Sequence, residues 1–332
     1  MKNLKSLAIS LFMVLGSNAQ NIKVAETVMS SDEVRAGNMA YTSTDRLFVS
    51  INPLMGADAR VYEVMEDGSH KPYPNNTYSK GVNSKIKAII GIRTDSQDNL
   101  WLLDMGAQQF VVWDTKNEKL LKTVAIPNDV VKPTSFLQDF VIDEKNEHII
   151  IADMTQGDLK SAPESAFIVI DMMSGKARRM AQNHASMMPD IDGGFALNPI
   201  AIDPKFKWVY FGALNGKTVY RVAAKKFKSE KALSAGIKAY ATKSYSDGIA
   251  VDNNGNVYVT NIEKNELGVT NSKDGYRTIA TLPKGQSWPD GLWIKDGYLY
   301  STVDQLNRVP AMNNNKDDSK GPFIIVRTPL VE

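Results

Sequence analysis

Six times along this 332-residue chain an apolar segment, a polar turn and a second apolar segment follow one another, and the units open on similar residues. The clearest copies are Gln138-Asp139-Phe140-Val141-Ile142-Asp143, Ser246-Asp247-Gly248-Ile249-Ala250-Val251-Asp252 and Pro289-Asp290-Gly291-Leu292-Trp293-Ile294. Self-similarity at roughly 40–50 residues, in units made of short strands, is the pattern of a blade-built β-propeller. The repeat therefore predicts an all-β chain forming a six-bladed propeller. It also predicts which residues ring the central channel.

The second strand of each unit is the plainest marker. These strands are expected at 47–50, 100–103, 149–152, 209–212, 257–260 and 298–301, all rich in β-branched and aromatic residues. Turn pairs such as Asn254-Gly255 and Asp296-Gly297 supply the positive φ that tight hairpins need. Third strands are expected at 110–114 and 167–171, and fourth strands at 120–126 and 276–282. Residues 223–235 read as a short helix or a long connection. Long inserts fall at 56–85, 155–166, 184–195 and 312–321; such segments serve as lids or as surface decoration. The runs 22–28 and 322–328 are expected to pair in the last blade, closing the ring and removing an open sheet edge.

Lys2 and Lys5 precede an apolar run over 7–15, and Ser17-Asn18-Ala19 offers small residues for cleavage. The run is shorter than the roughly 20 residues of a membrane span. Residues 1–19 thus read as a signal peptide and 20–332 as one six-bladed propeller domain, secreted or periplasmic. With 39 Lys+Arg against 37 Asp+Glu, neither nucleic acid nor a membrane is an expected partner. The expectation is a monomer that takes a small-molecule ligand. Zero cysteines excludes disulfides, thiolate nucleophiles and Cys-ligated zinc.

The polar residues closing the inner strands give a ruler: Thr42, Asp95, Asp143, Asp203, Asp252 and Lys295. Five positions earlier stand Gly37, Ile90, Gln138, Asn198, Asp247 and Asp290, which the fold would place at the channel rim. The last four of these are amides and carboxylates from consecutive units. Converging carboxylates repel, so either one pKa rises or a cation sits between them. Asp247 and Asp290 are therefore the candidate catalytic, proton-transferring groups. Gln138, Asp139, Asn198, Asn38 and Trp288 are candidate ligand-binding residues. Asn198 and Asp247 are candidate metal ligands, of the oxygen type that calcium prefers. No cofactor is required by this reading; a divalent cation such as calcium is the open alternative. Ordinary turn preferences also put Asp and Asn at such places, and Trp288 also suits packing between the last two blades. Strand alternation leaves the direction of Arg35 and Arg93 open. His70, His148 and His184 are scattered, lack metal-ligand spacing and read as surface residues. No nucleophile elbow, phosphate loop or dinucleotide fingerprint occurs.

The segments 100–106, 135–143, 167–175, 246–252 and 288–292, followed by Asn307-Arg308-Val309-Pro310, resemble in order the major royal jelly/yellow protein family, in its bacterial branch. The resemblance implies a secreted six-bladed propeller. Some insect members are implicated in dopachrome conversion, and some salivary members bind biogenic amines; no residue set here carries either activity across. A more distant resemblance is to gluconolactonases and senescence-marker proteins, which hold a divalent metal with a Glu, an Asn and an Asp at inner-strand starts. Asn198 and Asp247 match the Asn and the Asp. Gln138 replaces an Asn that touches substrate, and Gly37 stands where the Glu would be. Three functions remain: an isomerase of dopachrome-like molecules, a non-catalytic binder of aromatic amines, and a metal-dependent lactonase or esterase.

Overall fold

The structure is a computed structural model that describes residues 22–331. The expected signal peptide, residues 1–19, lies outside the described residues. The chain forms six sheets around a central channel. Blade 1 comprises Asn38–Tyr41, Leu47–Ser50, Val61–Val64 and His70–Pro72. Blade 2 comprises Ile89–Thr94, Asn99–Asp104, Gln109–Asp114 and Lys119–Ala125. Blade 3 comprises Leu137–Asp143, His148–Asp153, Ala166–Asp171 and Ala177–Met180. Blade 4 comprises Leu197–Ile202, Trp208–Ala213, Thr218–Ala223 and Lys238–Thr242. Blade 5 comprises Ile249–Val251, Val257–Asn261, Glu266–Thr270 and Arg277–Thr281. Blade 6 is completed by both chain ends: Pro289–Lys295, Tyr298–Val303, Phe323–Pro329 and the N-terminal Glu26–Ser31.

Burial grades outward along each blade. The second strand of blade 3 is buried throughout, whereas the outer strand of blade 2, Lys119–Ala125, is almost wholly exposed. A strand sandwiched between neighbouring blades needs apolar side chains on both faces, and an edge strand tolerates charge. Aromatic rings lock adjacent blades together. Phe110 and Phe140 meet edge-on at 4.8 Å, and Phe167 meets Phe211 at 4.9 Å and Phe227 at 5.2 Å.

Phe227 belongs to the segment left open between helix and connection. It forms a 3-10 turn, Ala224–Lys228, and a short α-helix, Glu230–Ser234, with Ser229 capping the helix. Among the described residues no helix is long and apolar enough to cross a membrane.

Closure follows the expected pairing: Glu26–Ser31 runs antiparallel to the strand Phe323–Pro329. The N-terminus does more than close the ring. Lys23–Val24 pairs in parallel with Ala280 and Thr281, so one segment straps blade 5 to blade 6.

Two expectations need correction. The insert at 56–85 contains the third and fourth strands of blade 1, obscured by the short length and Pro72 end of an edge strand. His148 is not a surface residue: it is 3% exposed, paired across strands with Asp143 and Asp171.

The inner strands begin irregularly. Register shifts fall between Ile89 and Ile92, Leu137 and Asp139, Leu197 and Ile200, and Pro289 and Leu292. Each spans a ruler residue: Ile90, Gln138, Asn198 and Asp290 respectively. A bulge bends its strand and re-aims a side chain. It is the local device that brings these residues to the channel.

Candidate functional site

Gln138, Asn198, Asp247 and Asp290 line one small polar cavity with Asn38, Arg93 and Asp139. All the sequence-derived site residues except Trp288 thus meet there. Trp288 lines the adjoining vestibule, which also takes in Gln138, Asn198 and Asp247.

Asp247 is positioned from the second strand of its own blade, where Thr260 Oγ1 accepts the N–H groups of Asp247 and Gly248 at 3.0 and 3.1 Å. Gly248 is required by close approach, since a Cβ there would lie 1.9 Å from the Asp290 carbonyl oxygen. The Asp247 side chain is buried, and its Oδ2 accepts the Trp288 indole N–H at 2.7 Å. The nearby Asn198 amide favours the charged form of this carboxyl. Asp247 Oδ1 is buried without a partner. Burial raises the Asp247 pKa, against the pull of Trp288, Asn198 and Lys243.

Asp290 stands beside Asp304, a residue the ruler missed because Asp304 lies just past a second strand, Tyr298–Val303. The two buried carboxyls are close enough to perturb each other's ionisation, and charging both is disfavoured. Burial, followed by repulsion from Asp247, pushes Asp304 up to about 8. Burial together with repulsion from Asp247, Asp304 and Asp139 raises Asp290 well above its ordinary value. Asp304 is fully buried, and its Oδ2 has no partner. The charge of Arg35 opposes the rise of Asp304, but Arg35 forms no ion pair with the Asp304 carboxyl. Its guanidinium donates to the main-chain carbonyls of Asp304 and Gln305 instead.

Asp139 is paired with Arg93, which also donates to Asn38 Oδ1 at 3.3 Å. Burial outweighs this ion pair and pushes Asp139 up to about 6. Gly91 leaves the space the carboxyl occupies: a Cβ there would sit 2.9 Å from Asp139 Oδ1. Lys243, a second residue missed at the sequence level, is buried and donates only to the carbonyls of Ala213 and Ser244, at 2.8 and 3.1 Å. Burial pushes its amine down to about 7.

Above the polar residues the vestibule wall is apolar, including Phe136, Leu214 and Leu306. Three of the long inserts reach it through Leu159, Phe195 and Met312. These side chains leave a cavity of only about 30 Å³. The opposite mouth is a wider funnel of about 670 Å³, with Arg93 at the boundary between it and the polar cavity. The funnel is larger, but Asp247, with its unpartnered carboxyl oxygen, lines the vestibule and the polar cavity and not the funnel.

The donor set does not suit a divalent ion. Among the described residues no group of three or more His, Asp or Glu side chains is arranged to hold a metal. One Asp247 oxygen is taken by Trp288, and burial disfavours the charged forms of Asp290 and Asp304. The space beside Gly37, where a metal-binding Glu would project, is approached by Asp290 Oδ2, 3.7 Å from an ideal Cβ.

Comparison with known proteins agrees with the fold. A gluconolactonase of Xanthomonas campestris superposes with a TM-score of 0.58 at 15% identity, covering 93% of this chain and 89% of that one. Regucalcin of Agrobacterium tumefaciens, a calcium-binding protein, gives 0.58 at 12% identity, covering 92% and 95%. Virginiamycin B lyase of Staphylococcus aureus gives 0.51 at 12%, covering 88% and 80%. At such identities the likeness is one of fold alone. In sequence, major royal jelly protein 9 of Apis mellifera is 37% identical over 102 residues, 25% of this chain and 24% of that protein. The chain thus matches about a quarter of the length of that relative. The family model for major royal jelly proteins matches residues 88–330, which takes in blades 2 to 5 and the C-terminal strands of blade 6, and the chain belongs to that family.

Proposed function

We propose that the vestibule binds a small, largely apolar or aromatic molecule through one hydrogen-bond-donating or cationic group, received by Asp247. The observation that carries this reading is the Asp247 carboxyl itself. One oxygen is held by Trp288 and the other is buried and unpartnered, at the base of an apolar wall. An unpartnered buried acceptor is costly, and a ligand donor placed against it recovers that cost. Gln138 and Asn198 add neutral polar contacts, and Trp288 contributes apolar surface. An aromatic amine has the matching chemistry. Leu159 and Met312 must move for it to enter, since the present cavity is close to the volume of one water. We place this activity outside the cytoplasm, in keeping with the N-terminal segment.

The test is calorimetry with tryptamine and with 3-methylindole, which lacks the amine. Wild type is expected to bind tryptamine the more tightly, and Asp247→Asn to erase the difference. Equal binding of both compounds by wild type overturns the reading.

A second reading, conversion rather than binding, is favoured by the unequal acids. Asp247 can accept a proton while the Asp290–Asp304 pair retains one to give back, the division of labour that an isomerisation needs. Dopachrome-type rearrangement is one such reaction. Turnover by wild type and its absence in Asp290→Asn would establish it. Metal-dependent lactone hydrolysis finds no support in these residues, because their donors do not fit the ion.

A further inference from the structure

Trp288 has an unusual backbone. Its φ is +60°, a conformation that bulky residues seldom adopt. It also precedes Pro289, and a residue before proline is pushed toward extended conformations. Such a conformation persists only where its surroundings hold it.

Two hydrogen bonds do so. The Trp288 N–H donates to Asn265 Oδ1 at 3.1 Å, and the Trp288 carbonyl accepts from the Asp304 N–H at 3.2 Å. Asn265 lies between the strands Val257–Asn261 and Glu266–Thr270 of blade 5. It is itself left-handed, at φ +57°, a conformation Asn tolerates well. Its own carbonyl is anchored by the Leu282 N–H at 2.9 Å. The hairpin of blade 5 therefore reaches across to the segment that opens blade 6. The same Trp288 returns the contact through its indole, which grips Asp247 at the start of blade 5.

We infer that Asn265 is a positioning residue: its side-chain oxygen holds Trp288 left-handed, and the indole held in this way fixes the Asp247 carboxyl with one oxygen occupied and the other free. This rests on the reading of Asp247 as the ligand acceptor, but its first consequence needs no ligand. Asn265 touches neither the vestibule nor the polar cavity, so it acts only through Trp288.

The experiment is indole N–H spectroscopy on ¹⁵N-tryptophan-labelled full-length protein. Five tryptophans give five indole signals, and Trp288→Phe identifies the one in question. Asn265→Gly removes the oxygen while keeping the left-handed backbone at no steric cost. It is expected to shift the Trp288 signal and to speed its exchange with water by at least tenfold. Asn265→Asp retains an acceptor and is expected to leave the signal in place. Tryptamine affinity should fall roughly tenfold in Asn265→Gly, the scale of one lost hydrogen bond. An unmoved Trp288 signal in Asn265→Gly overturns the inference. Should that variant not fold, a displaced signal in Asn265→Asp overturns it equally. A signal that responds as expected in a protein that binds no tryptamine supports Asn265 as positioning residue and removes the amine reading alone.

Discussion

The indole N–H of Trp288 donates to Asp247 Oδ2 at 2.7 Å, joining residues 41 positions apart across the junction of blades 5 and 6. This bond decides which carboxyl oxygen is available. It converts an acidic channel residue into an acceptor of defined direction, and the first expectation follows from it. Trp288→Phe keeps most of the apolar surface and removes the donor. Aromatic-amine affinity is expected to fall by about tenfold, the weight of one hydrogen bond to a charged group. Asp247→Asn should cost more, about a hundredfold, because the charge goes as well. Calorimetry on both variants checks the order. A larger loss in Trp288→Phe than in Asp247→Asn would mean that stacking, not the carboxyl, governs binding.

Stability should respond to the raised pKa values of Asp290 and Asp304. The folded-state pKa of Asp304 is raised to about 8, against an unfolded value near 4. The folded protein therefore binds more protons than the unfolded chain between these values, and stability must fall as pH rises through that window. Asp290, raised in the same sense, adds to the slope. Melting temperature measured from pH 5 to 8.5 is expected to decline, and Asp304→Asn to flatten the decline. A wild-type curve that rises over this range contradicts the raised carboxyls.

His148 acts in the opposite sense. Burial lowers its pKa, outweighing attraction from Asp143 and Asp171, and its Nδ1 has no partner. The unfolded chain takes up a proton near pH 6.5 that the folded protein resists, so this contribution is present above that pH and is lost on acidification. His148→Gln is expected to shift the acid-unfolding midpoint, followed by circular dichroism, to lower pH. An unchanged or higher midpoint would show that His148 is protonated without penalty in the fold.

Phe227 plugs the junction of blades 3 and 4 against Phe167 and is fully buried. Phe227→Ala removes that ring and leaves a cavity. The expected loss is about 3–5 kcal/mol, read as a lower denaturant midpoint at unchanged slope. A loss below about 1 kcal/mol would mean that the Ala224–Lys228 turn repacks freely.

Calcium is expected to leave the melting temperature unchanged at millimolar concentration. The site offers one Asp247 oxygen already held by Trp288 and two carboxyls whose charged forms burial disfavours, and ligand-linked stabilisation requires binding to the folded state. A rise of several degrees would reinstate the metal reading.

Much of the fold was legible in the residues. The second strands were placed within a residue or two because apolar, β-branched runs bounded by tight turns leave little choice of conformation. The ruler of five positions located Gln138, Asn198, Asp247 and Asp290 in one cavity, since each blade repeats the same geometry. Val61–Val64 and His70–Pro72 escaped notice because both are short, and the latter is an edge strand that needs no apolar alternation. Asp304 and Lys243 escaped because neither occupies a repeated inner-strand position. Their importance comes from what surrounds them.

By itself, the order of residues determined the number of blades, the strand pairing of the chain ends and the set of polar side chains available to the channel. These depend on local periodicity, which is written along the chain. Only the tertiary structure decided that Arg93 is spent on Asp139, that Trp288 takes one oxygen of Asp247, and that Asp290 and Asp304 are buried side by side with raised pKa values. Charge state and hydrogen-bond direction depend on burial and on partners dozens to hundreds of residues away. Such relations exist only once the blades have closed into a ring.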